Sequence, residues 1–170
     1  MKTLFYCMVA IMVMMSTSSC TKDETVTNQS LLNGLTAGNL VFVINGGTAE
    51  TINCTFNNYS GETSINAIVE SSGIMKNWYI MYGNYSNTIP MSVKSYSTAV
   101  GADMITINYM SQSSVSEQYS TDATKGASII IKITEVSATA IKGEFSGKML
   151  KNESTLTDIS GAFWAVKSAG

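Results

Sequence analysis

The stretch Lys76-Asn77-Trp78-Tyr79-Ile80-Met81-Tyr82-Gly83-Asn84-Tyr85 carries the chain's densest aromatic chemistry. Strand alternation puts Trp78, Ile80 and Tyr82 on one face and Tyr79 and Met81 on the other. Two readings follow. The stretch is either a central strand buried on both faces, or a platform whose flat rings cover sugar faces while nearby amides and hydroxyls make hydrogen bonds. On the second reading Trp78, Tyr82 and Tyr85 are the candidate ligand-binding residues, with Trp78 partly exposed. Tyr59, Tyr96, Tyr109 and Tyr119, among plentiful Asn, Ser and Thr, extend the surface.

The residues that are missing remove most other chemistry. The chain has no histidine, and all ten of its basic residues are lysine. Serine-histidine and cysteine-histidine catalysis, an imidazole metal site and a guanidinium clamp for phosphate are therefore ruled out. A two-carboxylate hydrolase survives this filter, with Glu62, Glu70, Asp103, Glu117, Asp122, Glu135, Glu144, Glu153 and Asp158 as raw material. These acids fall in turns, at strand ends or on wet strand faces, where solubility accounts for them. No calcium-loop spacing occurs, and Asn45-Gly46-Gly47 reads as a hairpin turn, not a phosphate loop. Cys54 alternates with apolar neighbours in Ile52-Asn53-Cys54-Thr55-Phe56, as a small core residue does. The expectation is a protein with no catalytic residue, no metal and no cofactor.

Strands must position these residues. Short runs rich in Ile, Val, Thr, Tyr and Phe, separated by Gly, Asn and Ser, recur from Leu40 onward. They include Leu40 to Ile44, Ile52 to Phe56, Ile65 to Val69, Ile74 to Tyr82 and Met104 to Met110. In the last of these, Met104, Thr106, Asn108 and Met110 alternate with Ile105, Ile107 and Tyr109, so that one face is drier than the other. Ser128 to Val136, Thr139 to Leu150 and Ile159 to Lys167 read as an antiparallel meander. Gly143 and Gly147 leave room for an aromatic to pack over the sheet, and Trp164 is the residue expected there, in the core. Helix is confined to one or two turns near Leu31 to Leu35. The pattern predicts an all-β fold, an antiparallel two-sheet β-sandwich of about eight or nine strands, with a lipocalin-like closed barrel as the runner-up.

The N-terminus supplies an address. Lys2, an apolar segment from Leu4 to Met15 and the small residues Ser16-Thr17-Ser18-Ser19 make a secretory leader, too short to span a bilayer. Cys20, directly after the small residues, resembles the lipobox cysteine of bacterial lipoproteins, whose thiol is acylated. Thr21-Lys22-Asp23-Glu24 is similar to the tag of surface-exposed lipoproteins in the Bacteroidetes. The C-terminal pattern Ile129-Ile130-Ile131-Lys132-Ile133-Thr134, Ile141-Lys142-Gly143-Glu144-Phe145-Ser146-Gly147 and Ile159-Ser160-Gly161-Ala162-Phe163 resembles the end of small lipoproteins of that group. The resemblance implies an outer-membrane lipid anchor at Cys20 and cell-surface display.

The expected organisation is a signal peptide over 1–19, a lipidated tether over 20–30 and one domain over 31–170. Without the leader the chain has a net charge of −3, which argues against nucleic acid as a partner and leaves membrane attachment to the lipid. The expected function is a non-catalytic surface module that binds glycan or protein. The alternative is a structural or accessory subunit of an envelope assembly that pairs through exposed strand edges.

Overall fold

In a computed structural model of the chain, residues 28–59, 61–83, 90–99, 104–113 and 116–169 are described. A short helix, α1 (Asn28–Asn33), precedes ten described strands. They are β1 (Asn39–Ile44), β2 (Glu50–Tyr59), β3 (Glu62–Ser71), β4 (Ile74–Tyr82), β5 (Ser95–Ser97), β6 (Ile105–Gln112), β7 (Ser116–Ser120), β8 (Ile129–Val136), β9 (Ala140–Lys151) and β10 (Thr155–Lys167). The expected turn at Asn45-Gly46 forms with both residues at positive φ, 49° and 66°, and is closed by the Gly47 N–H donating to the Ile44 carbonyl at 2.9 Å, within the longer connection that follows the last β1–β2 pair, Phe42↔Glu50.

β10 closes the sheet on itself. It pairs antiparallel with β1, from Asn39↔Trp164 to Ile44↔Ile159, and with β9, from Thr155↔Lys151 to Val166↔Ala140. Where the short β1 runs out, β10 pairs directly with β2 in parallel. Following hydrogen bonds through β1, β2, β3, β4, β6, β7, β9 and β10 leads back to β1. The all-β expectation holds, but the architecture is a closed eight-stranded antiparallel barrel and not a two-sheet sandwich. The apolar runs Ile52 to Phe56 and Ile65 to Val69 are only the inner parts of two ten-residue strands, β2 and β3, which continue through polar ends and reach lengths that suit a barrel.

β7 lies between β6 and β9, and its two ladders overlap only at Tyr119. It pairs with β6 from Tyr109↔Tyr119 to Gln112↔Ser116, and touches β9 only at Tyr119↔Lys151 and Ser120↔Leu150. β8 takes the rest of that edge of β9, with a register shift between Ile133 and Glu135, and β5 pairs with β8. The β8-β9-β10 meander is as expected.

Inward-pointing side chains fill the barrel, as they do in eight-stranded barrels generally. Leu40, Phe42, Cys54, Phe56, Ile65, Trp78, Ile80, Ile107, Ile129, Ile131, Phe145 and Phe163 are fully buried or nearly so. The glycines of β9 and β10 serve this packing. A Cβ on Gly161 would lie 2.3 Å from Phe145 Cζ, and one on Gly143 would lie 2.8 Å from Phe163 Cζ. Each phenylalanine ring thus covers the glycine facing it in register.

The residue over Gly143 is therefore Phe163 and not Trp164. Trp164 points outward, half-buried, with Lys142 Nζ 4.4 Å from its ring centroid. It belongs to a second small cluster in which Leu31 and Leu35 cover Val43 and Ala162 on the barrel's outer wall. Both faces of β10 are apolar because one faces the barrel interior and the other lies against the α1 segment.

Candidate functional site

Trp78 is fully buried, which corrects the expectation of a partly exposed platform. Its ring stacks on Tyr109 with centroids 4.6 Å apart and meets Phe42 edge-on at 5.2 Å. Tyr82, 7% exposed, also points inward, against Tyr96 at 4.9 Å. The cause lies in register: residues directly opposite in a ladder share a face, and Trp78↔Tyr109 and Ile80↔Ile107 put this side of β4 with the dry side of β6. Tyr85 and Cys20 lie outside the described residues.

Cys54 is a core residue as expected. Burial pushes its thiol up to about 12, far from thiolate chemistry near neutral pH. The carboxylates are mostly tied to lysines. Glu144 pairs with Lys132 at 3.2 Å and Asp158 with Lys148 at 2.6 Å. Two more pairs, Glu50 with Lys76 and Glu117 with Lys151, sit together at one end of the barrel. There the hydrogen bond from Lys151 holds the Glu117 carboxyl below the ordinary carboxylate range, while burial and then Glu117 push the Tyr119 hydroxyl up. Among the described residues no cluster of three or more His, Cys, Asp or Glu could hold a metal ion.

A groove of about 440 Å³ lies on the opposite face of the same aromatic strand. Asn77 and Tyr79 reach it from β4, Asn108 and Met110 from β6, and Gln118 and Ser120 from β7, with Tyr109 and Tyr119 beneath. Register brings these residues together, through Tyr79↔Asn108, Asn77↔Met110 and Met110↔Gln118. The β9–β10 turn forms one wall. Asn152 donates its backbone N–H to the Gln118 carbonyl at 2.7 Å and accepts from the Gln118 N–H through Oδ1 at 2.9 Å, which docks the turn and places Glu153 at the groove.

The groove's polar side chains are largely unengaged by the protein. Tyr79 gives its hydroxyl to Glu62 at 3.3 Å, but the side chains of Asn108, Gln118, Ser120 and Glu153 make no hydrogen bond among the described residues. Asn77 Oδ1 is shielded from solvent and lacks a partner, a condition that costs about 1–3 kcal/mol until a donor arrives. Amides offer both donors and acceptors, Tyr79 offers a flat ring, and Glu153 is the only charged residue among the described lining residues. This set suits a neutral ligand rich in hydroxyls.

The groove borders the strand that carries Trp78 and Tyr82, but those two side chains face the barrel interior, and Asn77 and Tyr79 face the groove. In the sequence, alternation puts Tyr79 on the side opposite Trp78 and puts Asn108 and Met110 on one side of their strand. Pairing the wet faces of β4 and β6 was the available signal, and it needed the register between strands that are not adjacent in sequence. The fold and groove define a closed all-β barrel with an amide-lined outer groove. Compared with protein-family models, curated proteins and solved structures, the chain matches none at a significant level.

Proposed function

We propose that this chain is a non-catalytic binding module, lipid-anchored at Cys20 in the outer membrane and displayed at the cell surface, and that the groove over β4, β6 and β7 takes a glycan. The observation that carries the reading is the groove itself, where three amide side chains and a tyrosine ring converge while the charged residues elsewhere are mostly paired off. The accessory-subunit alternative depends on exposed strand edges. Eight of the ten described strands close into a ring, and the strand that ends the sheet order, β5, is only three residues long.

Glycan-array capture of the mature chain tests the ligand. Asn108→Ala and Gln118→Ala are both exposed substitutions, expected to change stability by no more than about 0.5 kcal/mol. Each should weaken capture by about tenfold, the loss of one or two ligand hydrogen bonds. Capture unchanged in both variants would remove the groove from the function.

The anchor is tested separately. Mass spectrometry of the membrane fraction should find an acylated peptide beginning at Cys20, and Cys20→Ser should release the protein from membranes. A mature N-terminus elsewhere, or membrane retention of the variant, would defeat the anchoring.

A further inference from the structure

A second hollow, of about 520 Å³, adjoins the first. Ser120 and Glu153 line both. The second lies at the C-terminal end of β7, past the end of its ladder with β6 at Tyr119, where Ser120 pairs with Leu150 of β9. Its further lining includes Thr121, Asp122, Thr98 and Lys125.

Several of these groups are already committed. Asp122 Oδ1 accepts from the backbone N–H and hydroxyl of Thr124, and Lys125 Nζ lies 3.8 Å from Asp122 Oδ2 and 3.5 Å from the Glu153 carbonyl. The Thr98 hydroxyl accepts from the Ile129 N–H. The side chains of Ser120, Thr121 and Glu153 hold no such bond among the described residues; Ser120 and Glu153 line both hollows, and Thr121 lines the second.

We infer that the ligand is an extended chain of linked sugars that lies across β7, one part in the amide-lined hollow and the next beside Thr121. This rests on the glycan reading of the first hollow and adds its length. Each hollow has the size of a small-ligand site, and two that share a wall accommodate consecutive units of one linear ligand better than a single ring. In the second hollow Lys125 offsets Asp122, which leaves Glu153, shared with the first hollow, as the unoffset charge among the described lining residues, a balance that fits an uncharged chain.

The probes are linear gluco-, manno-, xylo- and galacto-oligosaccharides of one to six units, titrated calorimetrically against the mature chain. In the series that binds, affinity should rise by about tenfold as the ligand grows long enough to cross β7, equivalent to two added hydrogen bonds. It should then level off. Thr121→Trp, which fills the second hollow from a partly exposed position, should abolish that gain while leaving the affinity for the shortest binding sugar unchanged.

Affinity independent of length, with short sugars bound, overturns the extended ligand and leaves the glycan reading standing. A length gain that survives Thr121→Trp overturns the second hollow as its source. No binding by any series overturns both readings.

Discussion

Trp78→Ala should cost about 3–5 kcal/mol of folding free energy, the range for truncating a large buried aromatic. Trp78 has no exposed surface, and its ring contacts Tyr109, Phe42 and Phe145 at centroid distances of 4.6, 5.2 and 5.1 Å. Alanine would leave a void where strands from opposite parts of the barrel meet, since Phe42 comes from β1 and Phe145 from β9. The neighbouring rings are held by packed partners of their own and cannot collapse into it without distorting those contacts.

Trp78→Phe should behave differently. The indole Nε1 is buried without a partner, so phenylalanine removes an unsatisfied donor while it retains most of the apolar contact. The two effects oppose each other, and the net cost should stay below about 1.5 kcal/mol. Urea denaturation of the two variants separates the cases. An alanine variant as stable as the parent would contradict the buried position, and a phenylalanine variant as damaged as alanine would show that Nε1 does bond in solution.

The pattern of residues made the strands legible and left their closure hidden. β8, β9 and β10 alternate cleanly enough to be read as a meander, because Ile129, Ile131 and Ile133 face Gly143, Phe145 and Gly147 across short connections. Alternation says nothing about whether β10 returns to β1, a pairing that joins residues as far apart as Asn39 and Trp164. It also fails wherever both faces are covered. β10 is apolar on both sides because α1 lies outside it. β4 is amphipathic on both sides because the groove lies outside it.

The amides of the candidate site were illegible for a related reason. Asn77, Asn108 and Gln118 look like any solvated strand residues until register brings three strands side by side. Cys54 was legible because its apolar neighbours in β2 alternate through a buried stretch. The error at Trp164 was one of parity: alternation separated Ala162, Trp164 and Val166 from Gly161, Phe163 and Ala165, but which set faced inward depended on the phenylalanine-glycine exchange between β9 and β10.

Gly147→Ala should destabilise the barrel by about 3 kcal/mol or more, combining overpacking with backbone strain. Gly147 has φ of 149°, a region that L side chains rarely occupy, and a Cβ there would lie 2.2 Å from the Ser128 carbonyl oxygen and 3.0 Å from Ile129 Cα. Backbone offers no rotamer that could relieve the clash. The obstructing carbonyl is also the acceptor for the Lys148 N–H at 2.9 Å. Moving it away would sacrifice that bond and pull Ile129, which pairs with Gly147, out of register at the start of β8. Gly46→Ala is the control, because Gly46 also has positive φ, 66°, but nothing lies within 4 Å of its missing Cβ. It carries the conformational cost alone, about 1–2 kcal/mol. Thermal melts of both variants should place Gly147→Ala well below Gly46→Ala. Equal melting temperatures would mean that the close approach of β8 to Gly147 contributes nothing, and the tight seam between β8 and β9 would have to be abandoned.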